Sequence, residues 1–412
     1  MACPIGLKPS CMKQFSPEEL RYVTQNAFGD AARLMLEAGR HPDLPVALLV
    51  QHIQARQKAR DKLPTWYRHP EIRYPANLSV EQSSSEKTAA YKASLVRGNT
   101  LADLTGGLGV DSFFFARQFQ QVYYVERQAE LAQVAEHNAQ VLGAANINFY
   151  QGEAAAFLAT IPDQVDVIYL DPARRSQANR KVHLLEDCEP DILQLLPLLL
   201  SKSRQVFLKT SPMLDIHLAM QQLRHVQEVH VVAVENECKE VLYLLGEEAP
   251  AFPPVNAINF VGESQQTFSF NQQTEDQATV IFGAPRHFVY EPNAAILKSG
   301  GFKSLAQQFA LTKLHRNSHL YTSETLVEGF PGRVFRRLAT CRYQKKDLLA
   351  HVPDKKANIT VRNFPDSVAQ IRLKTGFKEG GNKYLLATTD LDQKPIVLVC
   401  EKADQGTVNS KQ

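Results

Sequence analysis

Acidic residues stand at the ends of three short apolar runs between residues 100 and 153, and the chemistry open to them is to grip a cofactor by its cationic and hydroxyl groups. The first run, "TLADL", carries Asp103 and leads into Thr105, Gly106, Gly107 and Gly109; the second, "QVYYVE", ends in Glu126; the third, "INFYQ", is followed by Glu153. A strand, a glycine turn and a helix in that order let a nucleotide approach backbone amides. A fourth run ends in "IYLDPARRS", where Asp171 and Pro172 precede Arg174 and Arg175. A fifth runs into "LKTSPMLD", with Lys209, Ser211 and Asp215.

Spacing separates the cofactors that use this geometry. A dinucleotide fingerprint wants G-x-G-x-x-G, and here Leu108 and Asp111 stand where the second and third glycines would fall. An acid just before the glycines would repel a pyrophosphate, but it suits the methionine ammonium of a sulfonium cofactor. Glu126 lies 20 residues beyond Gly106, where an acid accepts from ribose hydroxyls. Glu153 is then placed for an adenine amino group. S-adenosylmethionine is the expected cofactor, held by Asp103, Thr105, Gly106, Gly107, Gly109, Glu126, Glu153 and Asp171. Gln82 and Ser84, in "EQSSSEKTAAYKA", are candidates for its carboxylate, although Ser83, Ser84 or Ser85 would equally cap the helix that follows.

Methyl transfer from a sulfonium is an in-line displacement, so a protein contributes positioning, desolvation and a place for the acceptor's proton. Asp171, Pro172 and Arg174 are the catalytic candidates at the end of the fourth strand. Arg174, Arg175, Lys209, Ser211 and Asp215 are the substrate-binding ones, with Pro212 expected in the first turn of a helix. Structural alternatives remain open: Ser211 as a helix cap, and the basic stretch "RRSQANRK" as a partner for Glu186, Asp187 and Glu189.

The elements that position these residues follow from periodicity. Residues 1–95 read as helical, with prolines 64, 70 and 75 marking an extended connector. Residues 96–285 alternate strand and helix, which implies a parallel sheet covered on both faces. "EVHVVAVEN" and "EVLYLLG" are separated only by a short polar turn around Cys238 and Lys239, too short for a parallel crossover, so the last strand runs antiparallel. "NAINFVGE", "QTFSFN" and "ATVIFG" read as a further hairpin. Residues 286–330 form a small α/β linker segment, and 331–412 read strand, helix, strand, helix, strand, strand.

On these residues the segment from 98 to 250 resembles a class I S-adenosylmethionine-dependent methyltransferase. The resemblance implies a Rossmann-like, seven-stranded sheet with an antiparallel last strand. The order of a helical segment, this core and a basic α+β tail, with "YEPNAAILKSG" and "GFPGRVF", is similar to bacterial methyltransferases bearing a THUMP-like, ferredoxin-like C-terminal region. Amino-methyltransferases of nucleic acids carry Asp or Asn, Pro, Pro and an aromatic at the fourth strand; this chain keeps Asp171 and Pro172 but has Ala173 and Arg174, whose guanidinium can stack on a base or clamp a phosphate. Uracil-5 RNA methyltransferases share an Asp-Pro-Ala-Arg stretch but need a cysteine after the fifth strand, which "LKTSPMLD" lacks. A nitrogen or oxygen acceptor is therefore expected.

Charge supplies the partner. Lys and Arg against Asp and Glu number 13 and 9 in residues 1–95, 12 and 23 in 96–285, and 21 and 11 in 286–412. A basic final third of this kind is a candidate polyanion-binding surface, because phosphate neutralisation releases counterions, and RNA (tRNA or rRNA) is the expected partner; a solvated lysine-rich face is the structural alternative. The six cysteines form no C-x-x-C pair, so neither a metal site nor a disulfide framework is expected. No apolar stretch approaches a membrane span, and a cytoplasmic location is the default. The rival readings are a small-molecule or protein methyltransferase with a structural basic tail, and an RNA-binding module without turnover.

Overall fold

The computed structural model describes residues 15–75, 80–161, 164–174 and 184–403. By its internal contacts the chain divides into two compact units, Met1–Val226 with Tyr243–Ala249, and Gln227–Leu242 with Pro250–Gln412.

The first unit opens with helices α1 (Pro17–Gln25), α2 (Ala31–Leu36), α3 (Val46–Lys62) and α4 (Pro64–Arg68). Ser16 starts α1 through a reciprocal capping box, its hydroxyl accepting from the Glu19 amide at 3.1 Å while Glu19 accepts from the Ser16 amide at 2.6 Å. Tyr22, Val23, Leu34, Leu49, Val50 and Ile53 form the small core between α1, α2 and α3. Pro64 occupies the first position of α4, where its missing N–H costs nothing, so the expected extended connector begins with a helical turn. Helix α5 (Glu86–Leu95) is capped by Ser85, in reciprocal bonds with Thr88.

From residue 100 the chain alternates as periodicity requires: β1 (Thr100–Asp103), α6 (Val110–Phe115), β2 (Gln121–Glu126), α7 (Ala129–Val141), β3 (Ile147–Gln151), α8 (Ala154–Thr160), β4 (Val165–Leu170), α9 (Ile192–Lys202), β5 (Ser203–Thr210) and α10 (Ile216–Leu223). Strand β1 pairs in parallel with β2 and β4, β2 with β3, and β4 with β5. After β6 (Val226–Val234) a two-residue turn at Glu235 and Asn236 leads to β7 (Glu237–Leu245). Both turn residues have positive φ, 50° and 62°, the geometry that suits a two-residue hairpin and that asparagine tolerates. The turn thus falls three residues before the expected Cys238–Lys239.

Strand order is β3-β2-β1-β4-β5-β7-β6-β8-β9, with β8 (Val255–Val261) and β9 (Ser264–Phe270) added beyond the seven expected strands. They join because β8 pairs in parallel with β6, then turns back into the antiparallel β9. The expected strand "ATVIFG" does not form. Asn271 caps a short helix, α11 (Gln272–Gln277), and only Phe282 bridges to another strand.

A second sheet holds β10 (Phe288–Pro292), β11 (Thr312–Lys313), β12 (Tyr321–Ser323), β13 (Gly332–Arg342), β14 (Asn358–Arg362), β15 (Lys383–Thr389) and β16 (Pro395–Lys402), in the order β11-β12-β10-β13-β16-β15-β14. It crosses residue 330 without interruption. Leu385, Val397 and Val399 join one apolar cluster while Leu386, Leu398 and Cys400 join another, so the pleat sends alternate side chains to two cores. Glu291 of β10, 1% exposed, is held by Arg333 of β13 and by Arg362 of β14, the latter at 2.9 Å.

Among the described residues, no helix is long and apolar enough to cross a membrane.

Candidate active site

The turn Thr105–Gly107 collects the strand-end acids. Asp103 accepts from the Thr105 amide at 3.1 Å, Glu126 accepts from the Gly107 amide at 3.0 Å, and the Asp171 amide donates to the Thr105 hydroxyl at 2.6 Å. Residues from three strands, β1, β2 and β4, are thereby tied to one loop. Glu126 also accepts from the Gln128 amide at 2.9 Å, so its carboxylate is fixed at both oxygens while each retains a lone pair.

Two glycines in this turn have separate reasons. A Cβ on Gly106 would lie 2.1 Å from the ring of Tyr124, which is fully buried and donates its hydroxyl to the Gly107 carbonyl at 2.6 Å. The ring of Tyr124 by itself requires glycine at this position. Gly109 has φ +78° and starts α6 from a left-handed conformation.

Asp103 is 1% exposed and accepts from the Ser112 hydroxyl at 2.5 Å. Burial pushes its carboxyl up to about 7, with Asp111 and Asp171 adding to the rise and the bonds from Ser112 and Thr105 opposing it. It is poised between neutral and ionised near physiological pH, and an arriving cation would complete its charge.

Beneath the turn lies a buried ionic network absent from the sequence reading. Lys92, on α5 and wholly buried, pairs with Asp111 at 3.0 Å and donates to the Ser84 hydroxyl at 2.7 Å. Ser84 donates to Asp111 at 2.9 Å, and Tyr169 of β4 donates to the same carboxylate at 2.8 Å. Burial pushes the Asp111 carboxyl up, but Lys92, Lys209 and these bonds outweigh it and hold it below the usual carboxylate range. Nothing local in "YKASL" marks Lys92 as buried. Ser84, expected at the cofactor's carboxylate, has its hydroxyl committed to this network.

At the lip, the Lys209 ammonium sits on the Asp171 carboxylate, with side-chain exposures of 13% and 36%. Pro172 follows, and Ala173–Arg174 form a two-residue antiparallel ribbon with Cys188–Glu189. Arg175 and the rest of "RRSQANRK" lie outside the described residues. Of the acids expected to pair with that stretch, Glu189 meets Arg127 at 2.7 Å and Glu186 accepts from Gln222 at 3.3 Å. Pro212 does not enter a helix: α10 begins at Ile216, because Asp215 caps it through the Leu218 amide at 2.9 Å. The Ser211 hydroxyl accepts from the Met213 amide at 3.3 Å and does not cap α10. Glu153 and Gln82 are exposed, Glu153 at the start of α8 and Gln82 at the end of the short turn Val80–Gln82.

The family models that match are a ferredoxin-like domain over residues 288–331 and a THUMP domain-like family over 332–402. An uncharacterized RNA methyltransferase of Halalkalibacterium halodurans is 32% identical over 102 residues, which cover 24% of this chain and 22% of that relative's length. The crystal structure of a methyltransferase candidate from Porphyromonas gingivalis W83 is 35% identical, matches 95% of this chain and 100% of that one, and superposes with a TM-score of 0.84. Full-length likeness at that identity, together with the parallel sheet and its C-terminal family matches, identifies the protein as a member of the class I S-adenosylmethionine-dependent methyltransferases with a THUMP-like C-terminal domain.

Proposed function

We propose that the chain transfers a methyl group from S-adenosylmethionine to RNA. The observation that carries the cofactor reading is the convergence of Asp103, Glu126 and Asp171 on the single turn Thr105–Gly107. The residues fit the group. Asp103, once ionised, answers the methionine ammonium, and the pinned carboxylate of Glu126 offers its remaining lone pairs to two ribose hydroxyls. Glu153 would accept from the adenine amino group, and Gly107 and Gly109 keep side chains off the backbone of the turn. When bound, the cofactor supplies a methyl group on a sulfonium, already activated for displacement. The protein's part is to hold the acceptor in line, exclude water and receive a proton. Asp171 and the Pro172 carbonyl orient the acceptor, and Arg174 and Arg175 grip a neighbouring phosphate or base.

RNA as substrate is supported by the basic final third, by the THUMP domain-like match at 332–402, and by the name of the Halalkalibacterium relative. Calorimetry with S-adenosylmethionine tests the site: Asp103→Ala abolishes binding, and retained micromolar affinity refutes the assignment. Labelled methyl transfer into total cellular RNA tests the substrate, and RNA binding by the full chain must weaken steeply with salt.

A further inference from the structure

The acceptor side of the site is not a lone carboxylate. Charges alternate from the interior to the lip as Lys92, Asp111, Lys209 and Asp171, with side-chain exposures of 0%, 10%, 13% and 36%. Lys92 is bonded to Asp111 and Lys209 to Asp171, while the charge of Lys209 also reaches Asp111. Asp171 is the most open of the four, so an acceptor there meets a carboxylate with an ammonium against it.

That pair discriminates between acceptors by the sign of the charge they develop. A neutral amine attacks with its protons still attached, so positive charge grows on nitrogen and a neighbouring ammonium opposes it. A hydroxyl must shed its proton, and negative charge grows on oxygen. A carboxylate can then take the proton while an ammonium steadies the oxyanion. A ribose hydroxyl, which ionises only far above neutral pH, needs both groups together. An imide N–H of a base is far more acidic than a ribose hydroxyl and depends on the pair correspondingly less. The residue after Pro172 is Ala173, so the position has no ring on which to draw a base out for methylation.

We propose that Lys209 is a further catalytic residue and that the acceptor is a ribose hydroxyl of RNA, an inference that rests on the RNA methyltransferase reading above. In the step, the hydroxyl oxygen bonds to the methyl carbon. The carbon–sulfur bond breaks with its electron pair passing to sulfur, and the hydroxyl proton goes to an Asp171 carboxylate oxygen. Lys209 keeps its own protons and donates to the oxygen as charge builds.

The experiment uses the purified full chain, methyl-labelled S-adenosylmethionine and total RNA from a strain lacking the gene, with the product digested and its nucleosides identified by mass spectrometry. The expected label is on ribose, at a linkage resistant to alkaline hydrolysis. Lys209→Met should lower kcat by about 10²–10³-fold, the loss typical of one oxyanion donor, with cofactor affinity unchanged; Lys209→Arg should retain more activity than Lys209→Met. Unchanged kcat in Lys209→Met, with correct folding shown by tryptophan fluorescence, overturns the role of Lys209. Label on a base nitrogen overturns the inference and leaves the RNA methyltransferase reading standing. No label in RNA from a chain that binds the cofactor overturns both.

Discussion

Lys92→Met removes a wholly buried cation of the first unit and leaves Asp111 with its hydroxyl partners, Ser84 at 2.9 Å and Tyr169 at 2.8 Å, and the charge of Lys209. Breaking a buried pair from one side costs about 3–5 kcal/mol, because the remaining charge is stranded in a medium that solvates it poorly. Asp111 can escape part of that cost by taking up a proton. The full loss is therefore expected at pH 8 and a smaller one at pH 5. In Lys92→Met/Asp111→Asn the charge is gone and an acceptor oxygen remains for both hydroxyls, so about 2 kcal/mol should return. The probe is built in. Trp66 is the chain's only tryptophan, is 1% exposed, and packs against Phe113 and Phe114 of α6 at ring distances of 4.8 and 6.4 Å, on the helix that carries Asp111. Its fluorescence during urea unfolding reports this region. A Lys92→Met transition within 1 kcal/mol of wild type at pH 8, or a double variant no more stable than the single one, would refute the reasoning.

Asp103 sets a pH dependence of opposite sign to the usual carboxylate. Its folded value, about 7, lies above the ordinary 3.8, so the stability it allows is complete below about pH 4 and is lost as pH rises through 7. Asp103→Asn should accordingly stabilise the chain at pH 8, by up to about 4 kcal/mol, while removing cofactor affinity. Wild-type affinity for S-adenosylmethionine should rise about tenfold from pH 6 to pH 8 as the carboxylate ionises, and a flat calorimetric profile would count against the ammonium contact. Gly106→Ala forces a methyl group against the Tyr124 ring and should lower stability by about 1–3 kcal/mol, read as a lower Tm. Glu291→Gln leaves Arg333 and Arg362 facing each other without a counter-charge; both are about one-third exposed, so the expected loss is only about 1–2 kcal/mol, seen as faster amide exchange across β10 and β13.

What could be read from the sequence was local. Asp103, Glu126 and Asp171 lie at strand ends because the apolar runs that precede them have strand length and are followed by helix starts. The helices and strands of 332–402 came from the same periodicities. Long-range partners were out of reach. Whether "NAINFVGE" closes on itself or extends an existing sheet depends on an open edge at β6, which no local pattern encodes. The turn before β7 was misplaced by three residues because Glu235, which takes positive φ together with Asn236, carries no turn signal. Lys92 sits in a helix where a lysine ordinarily faces water, and only Asp111, 19 positions further on, explains its burial. The contact of Gly106 with Tyr124 was likewise out of reach, since Tyr124 comes from the adjacent strand.

The family models meet at residues 331 and 332, yet β10 pairs along its whole length with β13, and Glu291 is clasped by arginines from beyond that boundary. A chain cut there would bare the longest strand of the second sheet along one side, as a template for any other edge it met, and would strand a buried carboxylate on one fragment and its two guanidiniums on the other. The ferredoxin-like and THUMP-like segments are therefore inseparable in manufacture as well as in form: whatever recombination, truncation or tagging does to this protein, the two must travel as a single cargo.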